Sequence, residues 1–319
     1  MRPALPFADR LRIPVVGAPL FLISHPPLVL AQCRAGVVGS FPSLNARPLS
    51  QLDEWLHELT EGLAGTEAAP FAVNLIVHKS NGRLEQDLAL CVKWRVPIVI
   101  TSLGAREDVN LAIRAYGGVT LHDVIHDRFA RKAIEKGATG LIAVAAGAGG
   151  HAGTLSPFAL VSEIREWFDG ILALSGAIAN GSSILAAQAL GADLAYIGSA
   201  FIASEEARAA ADYKQMIVDC NASDILYTKH FTGVHGNYLR PSVQRAGLDP
   251  DDLPADDLRQ MNFGDSGDNE IRAWRDIWGS GQGIGAVKAT VSVAALVRRL
   301  EAEYKSAVAR LSRSSHLLP

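Results

Sequence analysis

The stretch Ile171–Gly198, ILALSGAIANGSSILAAQALGADLAYIG, reads as one unit of an α/β fold. A short apolar run (Ile171–Leu174) ends in a turn of small residues, a helix-length segment follows, and a second apolar run (Leu194–Gly198) returns. Short runs of Val, Ile, Leu and Ala suit strands buried on both faces of a parallel sheet. Upstream, six more runs of this kind occur at Ile13–Ala18, Gly36–Gly39, Phe71–Ile76, Pro97–Thr101, Gly118–Leu121 and Gly140–Ala145. Segments with helical spacing lie between them. Leu49–Leu59 places Leu52, Leu56 and Leu59 on one face, and Asp123–Lys136 alternates charges around an apolar stripe that Gly137 would stop. Eight strands alternating with helices in the first 222 residues is the count for a closed (β/α)8 TIM barrel. A doubly wound open sheet shares the alternation, but a count of eight with none left over favours the barrel.

After Cys220 the pattern changes. Residues 223–280 contain the loop-prone LDPDDLPADD stretch, no clear strand, and a Trp274–Trp278 segment that reads as a lid or, preferably, as core contact. From Val287 a strong helical pattern, VKATVSVAALVRRLEAEY, should pack back on the barrel wall. The expected organisation is an α/β barrel from 1–222 and 286–319, with a smaller, mainly helical extension at 223–285 over the barrel mouth.

Of 319 residues, 49% are hydrophobic and 20% charged, a balance that suits a large buried core. The formal net charge is −3 and the basic residues are dispersed, so nucleic acid is not an expected partner. Cys33, Cys91 and Cys220 are scattered and odd in number, as idle thiols of a reducing compartment would be, and no Cys/His cluster has metal-site spacing. The amino terminus lacks a cationic region followed by an apolar run, and apolar runs break well before the roughly 18 residues of a spanning helix. A cytoplasmic protein with no membrane partner is expected. Barrel enzymes often self-associate, so a homodimer is compatible with the chain, although no interface stripe is distinctive.

Ligand chemistry in such a barrel sits at the carboxyl ends of the strands. The sixth run ends in Ala145-Ala146-Gly147-Ala148-Gly149-Gly150-His151-Ala152-Gly153, where glycines let the backbone approach a flat or bulky ligand. His151 within it is a natural general acid or base at neutral pH. The glycine spacing is not the dinucleotide fingerprint. The seventh run ends in Ser175-Gly176-Ala177-Ile178 and the eighth in Gly198-Ser199-Ala200-Phe201. Barrels commonly bind phosphate on these two turns. Neither turn has Lys or Arg, so backbone amides and the hydroxyls of Ser175 and Ser199 would carry it. Asn74, Thr101, Ser102, His122 and Asp123 at other strand ends give a polar ring, and Ala18, Pro19 and Leu20 after the first run offer backbone groups and an apolar wall.

GAP at 17–19, FAVNL at 71–75, AGAGGHAG at 146–153, SGAIANG at 175–181, GADLAYIGSAFIASEEA at 191–207 and GQGIGA at 281–286 together resemble the nitronate monooxygenase family, formerly 2-nitropropane dioxygenase. That family is similar to FMN-dependent enoyl-ACP reductases and some NADH:quinone reductases. The resemblance implies FMN on a (β/α)8 barrel, Asn74 against the flavin, its phosphate on the turns at 175–178 and 198–201, and His151 as the catalytic histidine. The cofactor residues it marks are Ala18, Pro19, Leu20, Asn74, Thr101, His122, Ala146, Gly149, Gly150, Ser175, Gly176, Ala177, Gly198 and Ser199. Implied substrates are a small nitronate or nitroalkane with O2; the alternative is an NAD(P)H-dependent quinone or enoyl-thioester reductase. The chain departs from the family pattern at Ala177, Ser199 and Ala148, and carries His122-Asp123 where a lysine is frequent.

Overall fold

The structure, a computed structural model, describes residues 5–253 and 274–313. Six strands come first: β1 Val15–Gly17, β2 Gly39–Pro42, β3 Phe71–Ile76, β4 Ile98–Ser102, β5 Val119–Val124 and β6 Gly140–Val144. A two-residue strand, β7 Gly150–His151, leaves the series, which resumes with β8 Ile171–Ser175 and β9 Leu194–Ile197. Apart from β7 they form one parallel eight-stranded sheet in the order β1-β9-β8-β6-β5-β4-β3-β2. A parallel bridge between Val16 and Val38 joins the two ends, with Gly17 N–H donating to Val38 O at 2.8 Å. The result is a TIM barrel.

Alternation along each strand divides the apolar residues into two sets. Val16, Ala72, Ile98, Ile100, Leu121, Ile142, Ala173 and Leu194 fill the lumen. Their neighbours, such as Val73, Val99, Leu141 and Leu172, pack outward against the helices. Those helices are α1 Pro26–Arg34, α2 Leu49–Leu63, α3 Leu84–Lys93, α4 Glu107–Ala115, α5 Asp127–Glu135, α6 Pro157–Arg165 and α7 Gly181–Leu190, followed by α8 Ser199–Ile202 and α9 Ala211–Asp219. Helix α2 buries Leu52, Leu56 and Leu59, as its spacing predicts. Gly137 follows α5 with φ +83°, a left-handed stop that glycine adopts without strain.

Two strand boundaries differ from expectation for local reasons. Gly36 has φ +87° and its N–H donates to Cys33 O, so it closes α1 and β2 starts only at Gly39. Strand β5 continues to Val124, which places His122 and Asp123 inside it.

Beyond Cys220, where no clear strand is expected, the chain forms two: β10 Ile225–Thr228 and β11 Gly236–Leu239, an antiparallel hairpin. Strand β11 also pairs with β7, with Gly236 opposite His151 and Asn237 opposite Gly150. A short helix, α10 Arg240–Arg245, follows. Of the Trp-containing segment 271–284 expected as a core helix or a lid, 271–273 lie outside the described residues, 274–280 are turn and bridge, not helix, and Trp278 is buried in the core. It stacks on Tyr213 at 4.6 Å, and the Arg245 guanidinium lies 3.5 Å from its ring centre. The last helix, α11 Val293–Arg313, packs on α7, and the fit leaves no room for a side chain at Gly181, where a Cβ would fall 2.0 Å from Tyr304 N. Among the described residues no helix is long and apolar enough to cross a membrane. All three cysteines are buried and free.

Candidate active site

Three small-residue turns meet at the carboxyl ends of β6, β8 and β9 and enclose a cleft of about 260 Å³, counted out to open solvent. Gly147, Ala148 and Gly149 form one wall, Ser175 to Ala179 a second, and Tyr196, Gly198 and Ser199 a third. Gly281 and Gly283 complete the lining, and none of the lining residues is charged. The turns touch through their backbones. Ala177 N–H and Gln282 N–H both donate to Gly147 O, at 3.1 and 2.9 Å. Added Cβ atoms on Gly149, Gly176, Gly281 and Gly283 would fall 2.7–2.8 Å from main-chain atoms of a neighbouring turn. Glycine is therefore required by close approach at these four positions. Ser199 Oγ accepts from Gly281 N–H at 2.8 Å, leaving its own hydrogen free to donate.

Of the residues expected at the site, Ser175, Gly176, Ala177, Gly198, Ser199 and Gly149 line this cleft. Ala18 Cβ and Leu20 Cδ2 lie 3.4 Å from the point a Cβ on Gly198 would occupy, so the turn carrying Pro19 abuts it. Ala146 O sits 2.8 Å from the same point on Gly176. Gly150 belongs to β7 with φ +69°. Asn180 and Gly181 instead serve α7: the Asn180 side chain accepts from Ser183 N–H, and Gly181 N–H donates to Glu303.

The polar ring resolves by strand alternation. Asn74, Ser102 and Asp123 follow the lumen-facing residues Ala72, Ile100 and Leu121 at a spacing of two, and they form a chain. Asn74 Nδ2 donates to Ser102 Oγ at 2.8 Å, and Ser102 donates to Asp123 Oδ2 at 2.5 Å. Burial raises the Asp123 carboxyl to about 6, the Ser102 hydrogen bond opposing the shift. Thr101 and His122 occupy the alternate positions, on the helix side with Val99. They pair with each other at 2.6 Å, and burial lowers His122 to about 4. The structure therefore places these two expected cofactor residues on the helix side and not in the mouth, because each directly follows a lumen-facing residue, Ile100 or Leu121, on a strand that continues past it.

His151 is held from three sides. Backbone pairing with Gly236 fixes its main chain. Nε2 lies 3.2 Å from Thr232 Oγ1, and the Trp274 ring meets the imidazole edge-to-face at 5.4 Å. Asn237 Nδ2 donates to Ala148 O at 2.6 Å, which ties the glycine loop to the hairpin. Burial lowers His151 to about 4, so it is neutral at pH 7 and one ring nitrogen carries a lone pair. Thr232 escapes sequence reasoning, Trp274 is read there only as part of a lid or core segment, and Gly281 and Gly283 enter only through the quoted GQGIGA motif. Only GQGIGA carries a signal, since its glycine spacing matches a backbone needing close approach.

Residues 8–303 match the family model described as nitronate monooxygenase. A nitronate monooxygenase of Paraburkholderia phytofirmans is 24% identical over 285 residues, covering 74% of this chain and 76% of that protein. A second, from Neurospora crassa, is 26% identical over 65% of this chain and 60% of its own length. Among solved structures, FabK from Thermotoga maritima superposes with a TM-score of 0.78 at 23% identity, covering 96% of this chain and 97% of that one. A nitroalkane oxidase from Streptomyces ansochromogenes gives 0.75 at 23% identity, covering 95% and 99%. A family match over nearly the whole barrel, with the glycine loop, the paired turns and the histidine in the expected order, places the chain among oxidoreductases: it belongs to the nitronate monooxygenase family.

Proposed function

We propose that this chain is an FMN-dependent nitronate monooxygenase that oxidises alkyl nitronates with O2 to a carbonyl compound and nitrite. The observation that carries this reading is His151, pinned by Gly236 and Thr232, on the same glycine loop that walls an uncharged cleft at the barrel mouth. The residues present fit FMN. The cleft between the turns is uncharged and lined largely by small residues, and Ser199 retains a hydrogen to donate to a phosphate ester. Asn74, fixed by its donations to Ser102 Oγ and Ile100 O, would face the ring system. When bound, FMN supplies the electron transfer, and the protein supplies orientation, electrostatics and a proton-handling group. His151 does the last of these. As a neutral imidazole it orients a nitronate by hydrogen bonding, or takes the proton from the carbon beside a nitro group.

The test is the visible spectrum of purified, FMN-supplied protein, followed anaerobically after adding an alkyl nitronate or NADH in separate cuvettes. Loss of the oxidised flavin bands with nitronate alone is the expected result. Bleaching with NADH alone would move the assignment to a quinone or enoyl-thioester reductase. No flavin bands at all would remove the basis of the proposal.

A further inference from the structure

The Thr232 hydroxyl has one hydrogen, and the surrounding atoms compete for it. Its shortest contact, 2.9 Å, is to Val234 O, a carbonyl that can only accept. The hydrogen is therefore committed to Val234 within the β10–β11 turn. Three other groups approach the same oxygen: His151 Nε2 at 3.2 Å, Val234 N–H at 3.4 Å and Tyr238 OH at 3.5 Å. With its hydrogen spent on Val234 O, Thr232 Oγ1 can only accept from the imidazole, so His151 must present an N–H at Nε2. A neutral imidazole has one ring hydrogen, so Nδ1 is left bare. No hydrogen bond joins Nδ1 to another described residue. The pairing of β7 holds the backbone of His151, and the Trp274 ring packs against the imidazole edge-to-face at 5.4 Å, which restrains a swing to other partners.

We infer that Thr232 is a positioning residue for the reaction: it fixes the Nε2–H tautomer of His151 and so makes Nδ1 the nitrogen that handles the substrate proton. The inference rests on the reading of His151 as the proton-handling residue of this family member. With a neutral nitroalkane, Nδ1 takes the proton from the carbon beside the nitro group. The C–H bond breaks, an N–H bond forms at Nδ1, and the electron pair moves onto the nitro group to give the nitronate. The imidazolium so formed keeps its Nε2–H on Thr232. A substrate supplied already as its nitronate skips this step, and that difference separates a tautomer-setting role from a merely structural one.

Two measurements test it on the FMN-loaded full chain. In ¹⁵N-histidine-labelled protein, the ring signals lost in His151→Asn identify His151 among the nine histidines. The expected pattern is a protonated Nε2 and a bare Nδ1; a protonated Nδ1 overturns the inference. In Thr232→Val, the tautomer preference should weaken and nitroalkane turnover fall roughly tenfold, a fraction of what a positioned base contributes, while turnover of preformed nitronate, which needs His151 only for orientation, falls by a smaller factor. Thr232→Ser, which keeps the hydroxyl, should restore both signals. Equal loss on nitroalkane and nitronate would reduce Thr232 to a packing residue and refute the proposal, as would an unchanged tautomer in Thr232→Val. If the wild type turns over neither substrate yet shows the Nε2–H tautomer, the reaction reading falls and the tautomer assignment stands.

Discussion

Replacing Gly149 by alanine adds a single carbon at the most crowded point of the candidate cofactor cleft. That Cβ would lie 2.8 Å from Gly281 N and 3.1 Å from both Ser199 Oγ and Ser280 C. Ordinary contact between such atoms begins at about 3.5 Å. The 280–283 segment must then retreat by roughly 0.5 Å or more, and with it the hydrogen bond from Gly281 N–H to Ser199 Oγ. Gly149 has no positive φ, so the whole effect is steric. Overpacking of this kind costs about 1–3 kcal/mol. With an unfolding entropy of about 2.1 cal/mol/K per residue over 319 residues, that is a drop in Tm of roughly 1.5–4.5 °C. Because Ser199 would shift as well, FMN affinity should fall about tenfold, equivalent to about 1.4 kcal/mol. Differential scanning calorimetry and flavin-fluorescence titration measure the two effects. Gly82→Ala is the control, since nothing lies within 4 Å of its added Cβ; it should change stability by less than about 0.5 kcal/mol. A Gly149→Ala protein that melts with wild type and keeps its FMN would refute the argument from backbone contact between the turns.

His151→Asn should retain FMN but lose about 10²-fold or more in turnover of nitroalkane, measured by nitrite release; full turnover would remove the residue from the chemistry. Burial holds His122 and His151 at about 4 against 6.5 in the unfolded chain, so the unfolded state gains protons first. Their contribution to stability is present above pH 6.5 and is lost as pH falls towards 4. Asp123, raised to about 6 from 3.8, acts in the opposite sense between those values. Denaturant midpoints between pH 7 and 4 should therefore fall less steeply in His151→Asn than in wild type, and parallel curves would contradict the burial of that imidazole. Asp193→Ala should destabilise by about 2–4 kcal/mol, because Asp193 accepts from Arg165 at 2.7 Å and from Leu172 N–H at 2.8 Å. Urea midpoints would show it, and a change under about 0.5 kcal/mol would mean the pair is dispensable.

The barrel was legible because strands buried on both faces must be apolar throughout, and Phe71–Ile76 was readable to the residue. Strand β2 was misplaced because a glycine that ends a helix looks, in sequence, like one that begins a strand. The His122-Asp123 pair shows a deeper limit. Composition marks a polar strand end, but it does not show whether both residues still belong to the strand, where alternation from Leu121 turns His122 outward and Asp123 inward. The hairpin was invisible for another reason. ILYT and GNYL are four residues long, too short for a period of two to register, and their partner is a two-residue strand in a glycine loop. Of the candidate site, the three small-residue turns and His151 could be found by chemistry and position. Thr232 could not, since its contact with His151 spans 81 residues and leaves no local pattern.

The pairing of β7 with β11 has a consequence for how this enzyme diversifies. The barrel strands hold the cleft, but the imidazole is set by a hairpin that contributes nothing to the eight-stranded sheet. Changes within 225–239 can therefore alter the histidine's partners without touching a strand of the barrel sheet, provided Asn237 and Tyr227, which bond to Ala148 O and Ala152 O, are kept. If His151 handles the substrate proton as proposed, this hairpin is the segment that directed evolution should randomise first to redirect the chemistry.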